Sequence, residues 1–201
     1  MNKIDHCLLV GPPGMGKTMW ARRQRSGIPI PEMEAQNSYT YRVAGLEQLR
    51  FPYRPFRAPH HTCSEVALRG SFQKGHVWHP GEISLAHGGV LFLDELPEFR
   101  RTALEHVMDA LQRDSIRLSG PDGTCIQIPA RFRLICAMNP CPCGWRGSDA
   151  RACGCTAERV QRYLARVPSR FGLLRRVEPT EWAADLKRLL AAEARRRHDN
   201  S

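Results

Sequence analysis

Short apolar runs that end in polar residues recur along the chain and predict the buried strands of a parallel sheet. Cys7 to Val10 precedes a glycine-rich turn, Val90 to Leu93 precedes an Asp-Glu pair, and Phe132 to Met138 precedes Asn-Pro. Nearly continuous apolar runs of this length are typical of strands that are covered on both faces. Ligands of open α/β sheets bind at the carboxyl ends of the strands, so we expect the chemistry at these three strand ends.

Helical periodicity separates these runs. A helix is predicted from Thr18 to Arg25, and a second one begins at Pro97 with an apolar stripe that we interpret as core. A third is predicted from Thr156 to Val167, and Thr180 is expected to cap a last amphipathic helix. The stripe of the second helix comprises Leu104, Val107, Met108 and Leu111, and that of the third comprises Val160, Tyr163, Leu164 and Val167.

Two further stretches lack a helical pattern. Ile116 to Leu118 and Cys125 to Ile128 alternate around a Gly/Pro/Asp-Gly turn, which predicts a β-hairpin. Residues 26–62 are rich in proline, and we expect a loop with one or two short strands. The adjacent His60 and His61 in this stretch would point in opposite directions on a strand, which favours a structural or substrate-facing role over a metal site.

Composition places the chain among globular proteins. It has 201 residues, 42% hydrophobic and 25% charged, which predicts one domain. No apolar run is long enough to span a bilayer and no signal peptide is evident, so we expect no membrane partner and a cytoplasmic location. The net charge of +10, with only four lysines among 30 basic residues, slightly favours nucleic acid, although an arginine-rich surface can simply be solvated.

The first strand end carries a phosphate-binding loop. Gly-x-x-x-x-Gly-Lys-Thr follows a predicted strand and opens a predicted helix, which is the context that this motif requires. Its glycines let backbone N–H groups converge on an anion, and the helix start adds its positive end. Lys17 can reach the phosphates of ATP and the Thr18 hydroxyl can bind Mg²⁺. The loop comprises Gly11, Pro12, Pro13, Gly14, Met15, Gly16, Lys17 and Thr18.

The other two strand ends supply the partners of such a loop. Asp94 is a candidate for holding Mg²⁺, usually through water, beside Thr18, and Glu95 is a candidate general base for an attacking water. Asn139 ends a strand that we expect next to the first one, where it could orient that water. An acidic turn without chemistry is the alternative, but the loop at residues 11–18 requires an acidic partner of this kind.

Eight cysteines in a chain without a secretion signal favour thiols or metal over disulfides. Four of them form two Cys-x-Cys pairs that are separated by nine residues. Thiolates at this spacing suit a structural Zn²⁺ or an iron–sulfur cluster, and reduced cysteines without metal are the alternative. The four are Cys141, Cys143, Cys153 and Cys155.

Four longer motifs give the chain a family resemblance. From about Cys7 to about Glu178 it resembles the AAA+ module of the magnesium-chelatase-like proteins, in the branch typified by the competence protein ComM (YifB). The loop at residues 11–18 is shared by many nucleotide hydrolases, whereas the other three motifs are specific to this branch. These three are Arg-Pro-Phe-Arg-Ala-Pro-His-His-Thr at residues 54–62, the segment 80–99 around Asp94-Glu95, and Ala-Met-Asn-Pro-Cys-Pro-Cys-Gly at residues 137–144.

The resemblance implies an ATP-hydrolysing α/β core: a parallel sheet flanked by helices, with a pre-sensor-1 hairpin and a cysteine-rich loop. Lys17 would belong to Walker A, Asp94 and Glu95 to Walker B, and Asn139 would be sensor 1. The hairpin would face the pore of a hexameric ring, and Arg117 in it is a candidate DNA or substrate contact. Arg176 would be the arginine finger that acts on the neighbouring subunit. ComM-type relatives are ATP-driven DNA branch-migration motors.

The sequence also departs from the pattern of this family. We expect residues 1–178 to form the AAA+ core and residues 179–201 to form one helix, the remnant of a mostly absent lid. The helix that normally precedes the first strand and a sensor 2 arginine are not found, and Arg175 replaces the usual aspartate beside the finger. Two alternatives therefore stay open: a chelatase-type ATPase that remodels a protein, and a truncated ATP-binding remnant without turnover.

Overall fold

The computed structural model describes residues 5–24, 39–46, 55–72, 78–120 and 122–198. Strands and helices alternate through most of this range. The strands are β1 (Cys7–Val10), β2 (Phe56–Arg57), β3 (Gly70–Phe72), β4 (Trp78–Pro80), β5 (Val90–Leu93), β6 (Ser115–Ser119), β7 (Cys125–Pro129), β8 (Arg133–Met138) and β9 (Arg175–Val177). The helices are α1 (Lys17–Arg23), α2 (residues 39–43), α3 (Glu65–Arg69), α4 (Glu82–Leu85), α5 (Arg101–Arg113), α6 (Ala157–Leu164) and α7 (Pro179–His198).

A parallel sheet with the order β2-β5-β8-β1-β9 forms the centre of the molecule. The register pairs Val10 of β1 with Met138 of β8, and Leu93 of β5 with Cys136 of β8. Three strands therefore end at the same edge of the sheet. The α/β fold with a parallel sheet flanked by helices, which the sequence predicted, is confirmed.

Each face of the sheet carries its own apolar core, because neighbouring residues of a strand point to opposite faces. In β8, Leu134 and Cys136 pack on the face that α5 and the hairpin β6–β7 cover. Ile135 and Ala137 pack on the other face, together with Trp20 of α1 and Trp182 of α7. Helices on both faces of the sheet explain why the strand sequences are apolar at almost every position.

The hairpin is confirmed as an antiparallel pair, with Arg117 opposite Gln127.

Two helix predictions need correction. Helix α5 begins at Arg101 and not at Pro97, because Pro97 lies in a separate 3₁₀ turn (Leu96–Glu98) that ends where Phe99 adopts an extended conformation. Thr180 lies within α7, which begins at Pro179, and therefore does not cap it.

Burial confirms the predicted core stripe of α5 and shows one exposed residue in the apolar stripe of α6. Leu104, Val107 and Met108 are buried as expected, and Leu111 packs against them, but Leu164 is 45% exposed because α6 ends there. In the stretch 26–62, the described residues include helix α2 in addition to the expected short strand β2. Arg25, Arg54 and the prolines at 29, 31 and 52 lie outside the described residues.

None of the helices in the described part of the chain combines the length and the apolar character that a membrane span requires.

The division of the chain at residue 178 into a core and a terminal helix stays a prediction. Helix α7 nevertheless packs directly against α1 and the sheet, through Trp182.

The buried imidazole of His87 makes the stability depend on pH. Its Nδ1 accepts a hydrogen bond from the backbone N–H of Arg131 at 2.9 Å, and burial lowers the pKa of His87 to about 4, with the Arg131 charge acting in the same direction. The unfolded chain therefore binds a proton more readily, since an ordinary histidine titrates near pH 6.5. The stability associated with neutral His87 is present above pH 6.5 and is lost as the pH falls towards 4.

We expect His87→Asn to remove this pH dependence, because the amide oxygen can replace Nδ1 as acceptor without titrating. Between pH 7.5 and 4.5 the free energy of unfolding of the unmodified protein should fall by roughly 1–3 kcal/mol more than that of the variant. Denaturant titrations at both pH values measure the difference. An equal loss in the two proteins would contradict the assignment.

Candidate functional site

The loop between β1 and α1 folds around the amine of Lys17. Gly14 and Gly16 have φ angles of 78° and 81°, which residues with a Cβ rarely adopt. The Lys17 Nζ donates hydrogen bonds to the carbonyl oxygens of Gly11 at 2.7 Å and Pro12 at 2.8 Å. Burial lowers the pKa of Lys17, and the Asp94 carboxylate opposes that shift. The amine thus lies on the concave side of the loop.

Thr18 and Asp94 form the second part of the site. The Thr18 Oγ1 donates a hydrogen bond to the Asp94 Oδ2 at 2.8 Å, across the gap between α1 and the end of β5. Neighbouring oxygen ligands of an octahedral Mg²⁺ lie about 2.9 Å apart, because each is about 2.0–2.1 Å from the ion. The hydroxyl and the carboxylate therefore fit as two ligands of one Mg²⁺.

Glu95, two positions after the end of β5, has an unusual backbone conformation. Its φ of 54° and ψ of 47° lie in the left-handed region, and its N–H donates to the Asp94 Oδ1 at 3.0 Å. Such a conformation costs of order 1 kcal/mol for a residue other than glycine and is common at functional sites. The Glu95 side chain is exposed.

His61 contacts Glu95 and was not identified as a site residue from the sequence. Its Nδ1 lies 3.0 Å from the Glu95 Oε2, although 34 positions separate the two residues in the chain. His60 and His61 lie in a turn after β2, and their ring centroids are 4.1 Å apart. The expectation that the two rings point in opposite directions is therefore wrong, because it assumed an extended strand.

Asn139 joins the phosphate-binding loop from the end of β8. Its Oδ1 accepts a hydrogen bond from the Lys17 Nζ at 3.3 Å, which the pairing of β8 with β1 makes possible. Tyr163 of α6 contacts the backbone of Asn139. Burial raises the pKa of Tyr163 to about 12, and the interaction with Asn139 opposes that shift. The structure thus brings Lys17, Thr18, Asp94 and Asn139 together, with Glu95 beside them.

Helix α7 also contacts the phosphate-binding loop. The Trp182 Nε1 donates to the Met15 carbonyl at 3.2 Å, and a Cβ on Gly11 would come within 2.6 Å of the indole ring. The Trp20 Nε1 of α1 donates to the Asp185 Oδ2 at 2.7 Å. Trp182 thus connects α7 to the loop, and Trp20 connects α7 to the helix that follows the loop.

The two arginines that the resemblance singled out lie elsewhere. Arg176 is exposed on the edge strand β9 and pairs with Glu178 at 3.2 Å. Arg117 is exposed on β6, where the alternation of the hairpin turns it away from the buried neighbours Ile116 and Leu118. Neither is therefore assigned to the Lys17 site of its own chain.

The cysteine quartet forms one cluster next to Asn139. The sulfur atoms of Cys141, Cys143, Cys153 and Cys155 all lie within 4.8 Å of one another. A backbone hydrogen bond from Trp145, followed by one from Cys141, lowers the pKa of Cys143 to about 6. Four thiols at these distances could hold a metal ion.

The chain matches the profile of one protein family along most of its length. The profile of the family described as "Magnesium chelatase, subunit ChlI" matches residues 4–180. The chain belongs to this family. The match includes all the strands of the central sheet and Lys17, Thr18, Asp94, Glu95 and Asn139, whereas Trp182 and Asp185 of α7 lie beyond it.

Members of the ComM and YifB group are similar to this chelatase-family chain. YifB of Salmonella typhimurium is 46% identical over 170 residues, YifB of Escherichia coli 44% over 169, and the competence protein ComM of Haemophilus influenzae 43% over 169. Each alignment covers 82% of this chain but 32% of the relative, so the chain spans about a third of the length of these relatives. The resemblance to the magnesium-chelatase-like AAA+ proteins of the ComM type is confirmed.

Among solved structures, NtrX from Brucella abortus aligns with a TM-score of 0.48 at 18% identity, covering 88% of this chain and 33% of that chain. A structure with bound ADP aligns with a TM-score of 0.45 at 19% identity, covering 88% and 32%. At this distance we draw no functional conclusion from either.

In this chelatase-family chain, we expect Trp182→Ala to loosen the phosphate-binding loop. Truncating a fully buried tryptophan costs about 3–5 kcal/mol of unfolding free energy, and the Met15 carbonyl also loses its donor. Hydrogen exchange of the segment 11–18 should become faster, whereas Trp182→Phe should retain most of the packing. Leu190→Ala, at an exposed position of the same helix, is the control. Unchanged loop exchange in Trp182→Ala would show that α7 stabilises only the core.

Proposed function

We propose that the chain binds ATP with Mg²⁺ and hydrolyses it. The observation that carries this proposal is the convergence of Lys17, Thr18, Asp94 and Asn139 at one edge of the sheet. A glycine-rich turn, a helix N-terminus and a buried lysine form a site for phosphate groups. A hydroxyl and a carboxylate oxygen beside it form a site for a hard cation that accompanies those phosphates.

Each residue has a defined role in this reaction. Lys17 exchanges its bonds to the Gly11 and Pro12 carbonyls for phosphate oxygens, and the backbone N–H groups of the loop bind the remaining oxygens. Thr18 and Asp94 hold Mg²⁺, which neutralises charge on the phosphates when it is bound. Glu95 accepts the proton of the attacking water, and Asn139 orients that water from the end of β8.

The contact with His61 gives Glu95 a fixed starting position. Glu95 is exposed, and without a partner its carboxylate would sample several rotamers. The contact with the imidazole restricts that freedom. We therefore assign His61 as a positioning residue for Glu95.

We expect Lys17→Ala to abolish nucleotide binding and Glu95→Gln to retain binding while removing turnover. Loss of a general base lowers kcat by roughly 100- to 10,000-fold, whereas the amide preserves the shape of the side chain. Titration with a fluorescent ATP analogue measures binding, and phosphate release measures turnover.

Matched controls lie close by in the chain. Lys187→Ala removes an exposed lysine of α7, and Glu98→Gln removes a carboxylate three positions after Glu95 that pairs with Arg166. Both variants should bind and hydrolyse ATP like the unmodified chain. Turnover by Glu95→Gln at the unmodified rate would remove Glu95 from the mechanism.

We further propose that turnover is coupled to DNA in a ring of subunits, as in the ComM-type resemblance. The net charge of +10 favours a polyanion, and Arg117 projects from a hairpin that packs against the core through Ile116 and Leu118. Arg176, exposed on the edge strand, is the candidate finger for the site of a neighbouring subunit, where it would stabilise the charge of the transition state.

Arg117→Ala should weaken DNA binding and DNA-stimulated ATP hydrolysis while leaving basal hydrolysis unchanged. Removal of one phosphate contact should lower the slope of log affinity against log salt by about 1. Arg113→Ala, at an exposed position of the last turn of α5, is the control. Fluorescence anisotropy at several salt concentrations measures the slope, and an unchanged slope would exclude Arg117 as a phosphate contact.

A chelatase-type ATPase that remodels a protein partner is the second candidate, favoured by the family match itself. The same ATP site would serve that function. ATP turnover that is insensitive to DNA, together with no DNA affinity at moderate salt, would favour the chelatase-type function over the DNA motor.

A further inference from the structure

One tight turn and one irregular segment bring the four cysteines together. The segment Cys141–Gly144 closes with a hydrogen bond from the Gly144 N–H to the Cys141 carbonyl at 2.9 Å, and Gly144 has a φ of 85°. The segment 153–155 ends directly before Thr156, whose side chain caps α6. One pair of thiols thus follows the site residue Asn139, and the other immediately precedes helix α6.

The distances between the sulfur atoms match those around a single tetrahedral ion. Four thiolates at about 2.3 Å from one Zn²⁺ lie about 3.8 Å from each other. The sulfur of Cys141 is 3.4 Å from that of Cys143 and 3.7 Å from that of Cys153, and Cys143 and Cys153 are 3.6 Å apart. An iron–sulfur cluster distributes its thiolates over two or more irons, which holds them further apart than one ion does.

The surroundings suit the charge of such a centre. Four thiolates and one Zn²⁺ carry a net charge of −2, which nearby cations stabilise. Arg151 and Arg159 line the same cavity as Cys143 and Cys155. Cys141 is fully buried and would exclude water from one side of the ion.

We propose that Cys141, Cys143, Cys153 and Cys155 bind one Zn²⁺, and that this ion holds Asn139 and the phosphate-binding loop in place. The proposal goes beyond ATP hydrolysis, since it assigns a second metal centre and a coupling between the two sites. Zinc acts here as a structural crosslink and takes no part in the reaction.

The coupling rests on contacts from both cysteine pairs to the nucleotide site. A Cβ on Gly144 would come within 2.9 Å of the Pro13 ring and 3.7 Å of the Asn139 side chain, so the first cysteine turn packs directly on both residues. From the other side, Tyr163 of α6 contacts the Asn139 backbone. An ion that joins the two cysteine pairs therefore fixes both sides of Asn139 at once.

The metal is tested first, on the reduced 201-residue chain and without nucleotide. Elemental analysis should give about one zinc per chain, and replacement with Co²⁺ should produce the visible absorption of a tetrahedral tetrathiolate centre. Cys143→Ser and Cys155→Ser should each lose the metal, whereas Cys125→Ser, at an exposed position of β7, should retain it. Iron in place of zinc, or equal metal content in all four proteins, would overturn the proposal.

The coupling is tested by hydrogen exchange of the segments 11–17 and 139–145, which needs no ATP. Removal of zinc by a chelator should speed exchange in both segments by roughly fivefold or more, the lower end of ordinary coupling between two sites, and added zinc should restore it. Recovery on adding zinc separates this effect from irreversible misfolding. Faster exchange confined to 139–145 would overturn the coupling to the loop. Because neither readout uses nucleotide, a failure of ATP hydrolysis would leave this result interpretable.

Discussion

The position of β8 between β1 and β5 is the constraint on which the site depends. Parallel hydrogen bonding to both neighbours aligns the ends of three strands, and each strand end delivers a different group: a lysine-bearing loop, a pair of carboxylates and an amide. No one of these groups could reach the others through local structure, since Lys17 and Asn139 are 122 positions apart. Burial of the three strands on both faces supplies the free energy that holds this arrangement.

The sequence was sufficient to predict those parts of the site that follow directly from a strand. An apolar run that is followed by Gly11, Asp94 or Asn139 predicts a strand and also marks the end at which the polar group lies. The edge of the sheet and its site residues could therefore be predicted. His61 could not be located in this way, because its contact with Glu95 depends on the turn after β2. A contact between two side chains produces no periodic pattern in the sequence. The adjacent His60 also favoured an interpretation in which both histidines lie on a strand.

Helix α7 illustrates a second limit of sequence-based prediction. Its amphipathic pattern indicated a helix, but periodicity alone cannot show which surface a helix covers. The contacts of Trp182 show which surface α7 covers, since its ring fills the space beside Gly11 and its N–H donates to the Met15 carbonyl.

The excess of arginine shows a similar limit of sequence-based prediction. Arg170 pairs with Glu105 and Asp109, and Arg175 pairs with Asp5 and Glu181, so part of the positive charge is engaged within the fold.

The glycines of the phosphate-binding motif differ in the reason for which each is required. Gly14 needs its left-handed backbone and has open space around it, as a residue that faces a ligand does. Gly11 has no positive φ, and the indole of Trp182 occupies the volume that a side chain would need. The first glycine of the motif is thus fixed by contact with a helix that begins 168 positions later. In this protein a single short motif meets two separate physical requirements, one from the backbone geometry of the loop and one from the packing of the chain against itself.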